Sequence, residues 1–184
     1  LAGVLFHALI GIVHNFVFKG IFSWHHNVTL HTAVSHWGLG VIALTVACSV
    51  IVVALVVNFA PEAKGHGVPE VMDAIVHRHG KLRPVAIVVK AFATALTIGS
   101  GGAVGREGPI VQIGATLGSA LQHIFPMSFE QRKILVAAGA SAGIAATFNA
   151  PLGGVLFAVE LLMVRVHIRA LFMVISSTVV STYV

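Results

Sequence analysis

Charge is scarce in this sequence. Its 184 residues include 11 Lys or Arg and 6 Asp or Glu, so 9% are charged while 57% are apolar. An average soluble domain is roughly one-quarter charged; this chain cannot clothe a water-facing surface of the size it would need. Cysteine is nearly absent as well. The single Cys48 lies within the apolar run 39–57, which excludes an internal disulfide framework and reads as a buried, inert thiol. High net charge with low hydrophobicity, a sustained heptad and a glycine at every third position are all missing, which excludes disorder, coiled coil and collagen. The net charge of +5 comes without an aromatic-interleaved basic stripe, so it does not point to nucleic acid.

What is present is apolar sequence with its charges confined to a few places. Residues 1–61 contain one charge, Lys19, and the stretches 91–105, 108–129, 134–159 and 170–184 contain none. A membrane-spanning helix needs about 20 mainly apolar residues, so the length allows roughly seven or eight helices, some shorter than the bilayer. The expectation is an all-α, polytopic membrane protein with one transmembrane domain over residues 1–184. The first residue is Leu and the last, Val184, closes an apolar run, which reads as a fragment of a longer membrane protein.

Along the chain, 1–18 reads as a first membrane helix with His7 and His14 on one face, a face suited to protein contact. Residues 19–38 form a polar connection holding His25, His26, His31 and His36, and 39–59 is a full apolar span ended by Pro61. Residues 60–84 are the most basic connection, which places that face in the cytoplasm and near anionic lipid headgroups. Short helices are expected over 69–76 and 84–98, then 110–125. Ser128 and Gln131 have capping-box spacing at the start of the next helix. Pro151 starts a short helix to 163, Arg165, His167 and Arg169 mark an interface, and 170–184 is the last apolar run. Gly114 with Gly118, and Gly139 with Gly143, have the spacing that lets membrane helices approach closely; general close packing is the favoured reading over a dimer motif.

Two glycine-rich breaks carry the chemistry. Gly99-Ser-Gly-Gly-Ala-Val-Gly-Arg-Glu-Gly-Pro109 interrupts apolar sequence, and it lacks both the Gly-Lys-Ser/Thr of a phosphate loop and the spacing of a dinucleotide motif. Irregular backbone at membrane depth is tolerated where protein or a wet cavity satisfies its polar groups. A helix starting at Gly108-Pro109 presents first-turn N–H groups with no intrahelical partner, and these, with the positive end of the helix dipole, form an anion site. Glu107 at that start can occupy the same site, and a carboxylate that is displaced or protonated acts as a gate. An ionisable residue at membrane depth is a functional candidate by default. The second break, Gly65-His-Gly-Val-Pro-Glu70, has the same grammar. Two half-helices with converging N-termini are how membrane transporters hold anionic groups.

These segments, together with Phe148-Asn-Ala-Pro-Leu152 and Glu160, resemble in order and spacing the CLC family of chloride channels and proton-chloride exchangers. The resemblance runs from about residue 58 to 164. It implies that Glu107 is the gating glutamate. It makes Gly105, Arg106, Gly108, Pro109 and Ile110 the start that binds the outer anion, and Gly65, His66, Gly67, Val68 and Pro69 the start nearest the inner and central positions. It also implies a homodimer of subunits built from inverted halves, this chain being the first half with part of the dimer surface along 151–184. The pore then needs the C-terminal half of the same protein. Chloride or a similar small anion is the bound ion, no cofactor and no enzymatic activity are implied, and a plasma or bacterial inner membrane is the setting.

The chain departs from the family pattern at three places. His66 stands where the family usually has a serine that helps hold the central anion; imidazole can donate one N–H when neutral and two when charged, or it can turn into the cytoplasmic vestibule while backbone amides bind. Leu161 stands where exchangers carry an inner proton-transfer glutamate. Leucine cannot relay a proton, so the expectation is a channel, with a proton-coupled exchanger as the alternative. The second-half Gly-x-Phe-x-Pro motif and pore tyrosine do not occur. Rival readings are a membrane enzyme using His7 and His14 for metal or haem, and a half-protein that only dimerises.

Overall fold

The computed structural model describes residues 2–19, 37–163 and 167–183. The connection with His25, His26, His31 and His36, and Arg165, lie outside the described residues. Every regular element among the described residues is helical. In chain order they are α1 (Ala2–His14), continued by a π-helical turn Asn15–Lys19; α2 (Gly40–Phe59); a 3-10 turn Pro61–Ala63; α3 (Val68–His77); α4 (Val85–Gly99); and α5 (Glu107–Ala120), continued by a 3-10 turn Leu121–His123. Then follow α6 (Phe129–Phe148), α7 (Pro151–Phe157) with a π-helical turn Ala158–Leu162, and α8 (Ile168–Tyr183).

Local sequence explains most of the boundaries. Ser128 caps α6: its backbone N–H donates to Gln131 Oε1 at 2.9 Å, and its Oγ accepts from Gln131 N at 3.4 Å. The helix ends where Asn149 turns left-handed at φ 52°, and Pro151 occupies the first turn of α7, where no donor is required. Among the described residues one helix, α2, is long and apolar enough to cross a membrane; α4, α8 and the 3–18 and 151–162 stretches are apolar but shorter.

Three boundaries differ from expectation. Helix α5 begins at Glu107, before Gly108-Pro109, because Arg106 takes the cap position and Pro109 still falls in the first turn. It also ends at Ala120, short of residue 125. The helix after Pro151 gives way at Ala158 to a wider π turn that carries both Glu160 and Leu161.

Helices α5 and α6 form the centre. A Cβ on Gly114 would overlap the Gly139 carbonyl oxygen, one on Gly139 would overlap that of Gly114, and one on Gly118 would overlap that of Leu135. The two small-residue pairs therefore face each other within the chain, and their glycines let the backbones touch. Helix α8 lies on the other side of α6, with Ser177 Oγ donating to Ala138 O at 3.1 Å and Ser181 Oγ to Ala142 O at 3.0 Å. The short α3 is wedged against this centre: Val71, Ala74 and Ile75 pack with Val111, Ala115, Val136 and Leu162. Helix α4 is held between α2 and α5, and Thr45 Oγ1 of α2 donates to Ser100 O at its end, 3.1 Å away.

Candidate functional site

The starts of α3 and α5 meet backbone to backbone. Gly67, at φ 100°, caps α3, and a Cβ there would lie 2.5 Å from Gly108 O and 3.2 Å from Gln112 Cβ. A Cβ on Gly108 would overlap the His66 carbonyl oxygen. Only glycine permits this approach at both positions, and at Gly67 only glycine adopts the dihedral without strain. Gly67 and Gly108, 41 residues apart in sequence, thus bring the two helix starts to one place.

A buried lysine and a half-buried glutamate pin the first break. Lys90 of α4, 4% exposed, donates from Nζ to Ala63 O at 2.9 Å and to Gly65 O at 2.7 Å. The Gly67 N–H donates to Glu70 Oε2 at 2.7 Å, and the other carboxylate oxygen lies against Gly65. Glu70 is within Coulombic reach of Lys90, so the ammonium and carboxylate balance each other around the loop. Gln112 of α5 adds a tether, donating from Nε2 to Glu62 O at 3.0 Å.

Beside this junction lies an open cavity of about 640 Å³. Its apolar wall comes from α2 at Val52, Val53, Val56 and Val57; its polar wall comes from Lys64, Gly65, His66 and Val68, from Lys90, Thr94 and Thr97 of α4, and from Gly105, Glu107, Gly108 and Pro109. The Glu107 carboxylate folds back against Gly105 and is exposed to the cavity. It makes no hydrogen bond or ion pair among the described residues. Sequence reasoning set this carboxylate on the first-turn amides; here it stands beside them.

The other expected site residues divide. Gly65, His66, Val68, Gly105, Gly108 and Pro109 line the cavity with Glu107. Gly67 stands behind it, its N–H committed to Glu70. Pro69 faces a separate cleft with Asp73, Arg78 and Arg83, because the first turn of α3 carries it to the far side of the helix. Arg106 turns to α1, with Nη1 3.0 Å from His7 Nε2, so His7 meets protein as its helical face implied. Ile110 is no donor to the cavity: its N–H is bonded to Arg106 O at 3.2 Å and its side chain is buried with Phe6 and Ile113. His14 stacks on Phe18, centroids 4.7 Å apart. Among the described residues no group of three or more His, Cys, Asp or Glu could hold a metal.

Two charged residues that fix the junction escaped the sequence reading. Lys90 was legible as a lone charge in an apolar helix, and its partners, being main-chain carbonyls, left no trace. Glu70 was read only as the end of the second break; its position three residues after Gly67 is the N3 spacing of a capping box, and that signal would have found it.

Comparison with known proteins follows the same segments. A family model described as voltage gated chloride channel matches residues 48–184. The H(+)/Cl(-) exchange transporter ClcA of Cronobacter sakazakii is 44% identical over 137 residues, covering 68% of this chain and 28% of that protein. The protein of the same description from Salmonella arizonae is 39% identical over 175 residues, covering 87% of this chain and 36% of its own length. The crystal structure of a slow cyanobacterial Cl-/H+ antiporter superposes with a TM-score of 0.72 at 25% identity, over 99% of this chain and 44% of that one. The chain thus spans about a third of the length of the curated relatives it matches.

Proposed function

The chain belongs to the voltage gated chloride channel family, and from that premise we propose that it forms the first half of a pore that exchanges chloride for protons, with Glu107 as the protonatable gate. One observation carries the reading: the starts of α3 and α5 touch through Gly67 and Gly108, and Glu107 stands on the cavity at that junction. Of the α5 first turn, Pro109 has no N–H and that of Ile110 is already bonded. Glu107 and Gly108 therefore supply the N–H groups that face an anion there. A chloride held by such dipoles is bound weakly enough at each step to leave again.

The relatives' description as exchangers supports proton coupling over the channel-like expectation drawn from Leu161. The carboxylate nearest that position is Glu160, exposed on the π turn one residue earlier. The setting is a multi-pass protein of a plasma or bacterial inner membrane, completed by a C-terminal half and paired with a second copy along 151–184, where Leu152, Leu156 and Phe172 are exposed.

Liposomes containing the protein that carries this chain test the reading. With a chloride gradient imposed, native protein is expected to drive protons uphill, and Glu107→Gln to pass chloride with no proton movement. Chloride flux without proton movement in the native protein would restore the channel reading. Proton coupling that survives Glu107→Gln would remove Glu107 from the gate.

A further inference from the structure

We infer that His66 is a second proton-linked control on this site, tightening anion binding as pH falls through the neutral range. The inference rests on the chloride reading above and concerns how that site is regulated. His66 is exposed on the cavity that Glu107 also lines. The main chain around it is pinned on three sides: Gly65 O by Lys90 Nζ at 2.7 Å, Gly67 N by Glu70 Oε2 at 2.7 Å, and its own carbonyl by the Cα of Gly108. The loop is therefore held where it is when the ring titrates, and the change of charge falls on whatever shares the cavity.

Among the described residues, few charged groups share the cavity with the ring. Lys64 lies on its own loop, Lys90 comes from α4 and Glu107 from α5; α2 contributes only valines, and Glu70 of α3 is engaged with Gly67. Lys90 has two of its three N–H donors on carbonyls. Imidazole is the side-chain type whose charge most readily changes near neutrality. Protonation turns the ring from a single donor into a double donor and adds a positive charge. By linkage, anion binding then promotes proton uptake by the ring to the same degree.

The test is calorimetric titration of chloride into the purified protein in detergent, between about pH 8 and about pH 5.5, where the imidazole changes charge. Native protein is expected to bind chloride about tenfold more tightly at the lower pH, the value of one charge-assisted hydrogen bond, and to take up protons on binding near the midpoint. His66→Ser and His66→Gln are expected to bind with an affinity that changes less than about twofold over the same range. Running both His66 variants, each checked by its melting temperature, keeps the test decisive if one folds poorly. A slope that persists in either folded His66 variant, or a flat native profile, overturns this inference and leaves the transport reading standing. No chloride binding by any of the proteins at any pH overturns both.

Discussion

Replacing Gly67 with Ala puts the junction of the two breaks under direct test. The residue sits at φ 100°, where an L side chain costs about 1–2 kcal/mol in main-chain sterics. Its new Cβ would lie 2.5 Å from Gly108 O and 2.9 Å from Gly108 C, and relief requires moving one backbone against another. Overpacking of that kind costs a further 1–3 kcal/mol or so. The loop has little slack, because Gly67 N is tied to Glu70 and Gly65 O to Lys90. The sum is about 2–5 kcal/mol, which for a chain of this size lowers the melting temperature by roughly 5–15 °C. Gly153→Ala is the matched control: within the chain its Cβ would meet only Ala150 Cβ, at 3.6 Å, an ordinary contact in a helix. There the change removes backbone freedom from the unfolded chain and stabilises by up to about 1 kcal/mol. The assay is thermal unfolding in detergent with chloride calorimetry alongside, and Gly67→Ala is expected to lose chloride affinity as its helix starts separate. Melting within about 2 °C of native, with unchanged chloride affinity, would refute the claim that this contact positions the site.

Two other substitutions separate stability from function. Ser119 Oγ, fully buried, donates to Gly80 O at 2.8 Å and accepts from Leu82 N at 3.0 Å; Ser119→Ala orphans both groups and is expected to cost about 2–4 kcal/mol in a melt, with chloride affinity unchanged because the cavity is elsewhere. Lys90→Met is expected to do the reverse. The lost hydrogen bonds and the relieved burial of an ammonium offset each other to within about 2 kcal/mol, while chloride binding weakens more than about tenfold as two carbonyl oxygens are released near the anion; a large drop in melting temperature with native affinity would contradict it.

The helices and the two breaks were legible in the sequence because glycine, proline and apolar run length act locally. Ser128 with Gln131 announced the start of α6, and Pro151 that of α7. What stayed hidden depends on atoms that sequence does not pattern. The π turns at 15–19 and 158–162 add a residue to a helical turn without changing its composition. The Arg106–His7 contact joins residues 99 positions apart, so the arginine read as a neighbour of Glu107. The Lys90, Gln112 and Ser119 side chains all end on main-chain atoms, and any residue type at the far end would serve equally. The glycine spacing in α5 and α6 was visible, but only the structure shows the two pairs facing each other within one chain.

The meeting of Gly67 and Gly108 has a consequence for how such a site can change. Its nearest surfaces are peptide groups, which every sequence possesses, so a survey of side-chain deletions at the contact would find no ligand to remove. At the contact itself, variation acts at one remove, on the residues that fix where the peptides point. In this chain those are Lys90 and Glu70, one on each flank of the loop. On the proposed chloride reading, anion preference can therefore drift through substitutions that never touch the anion.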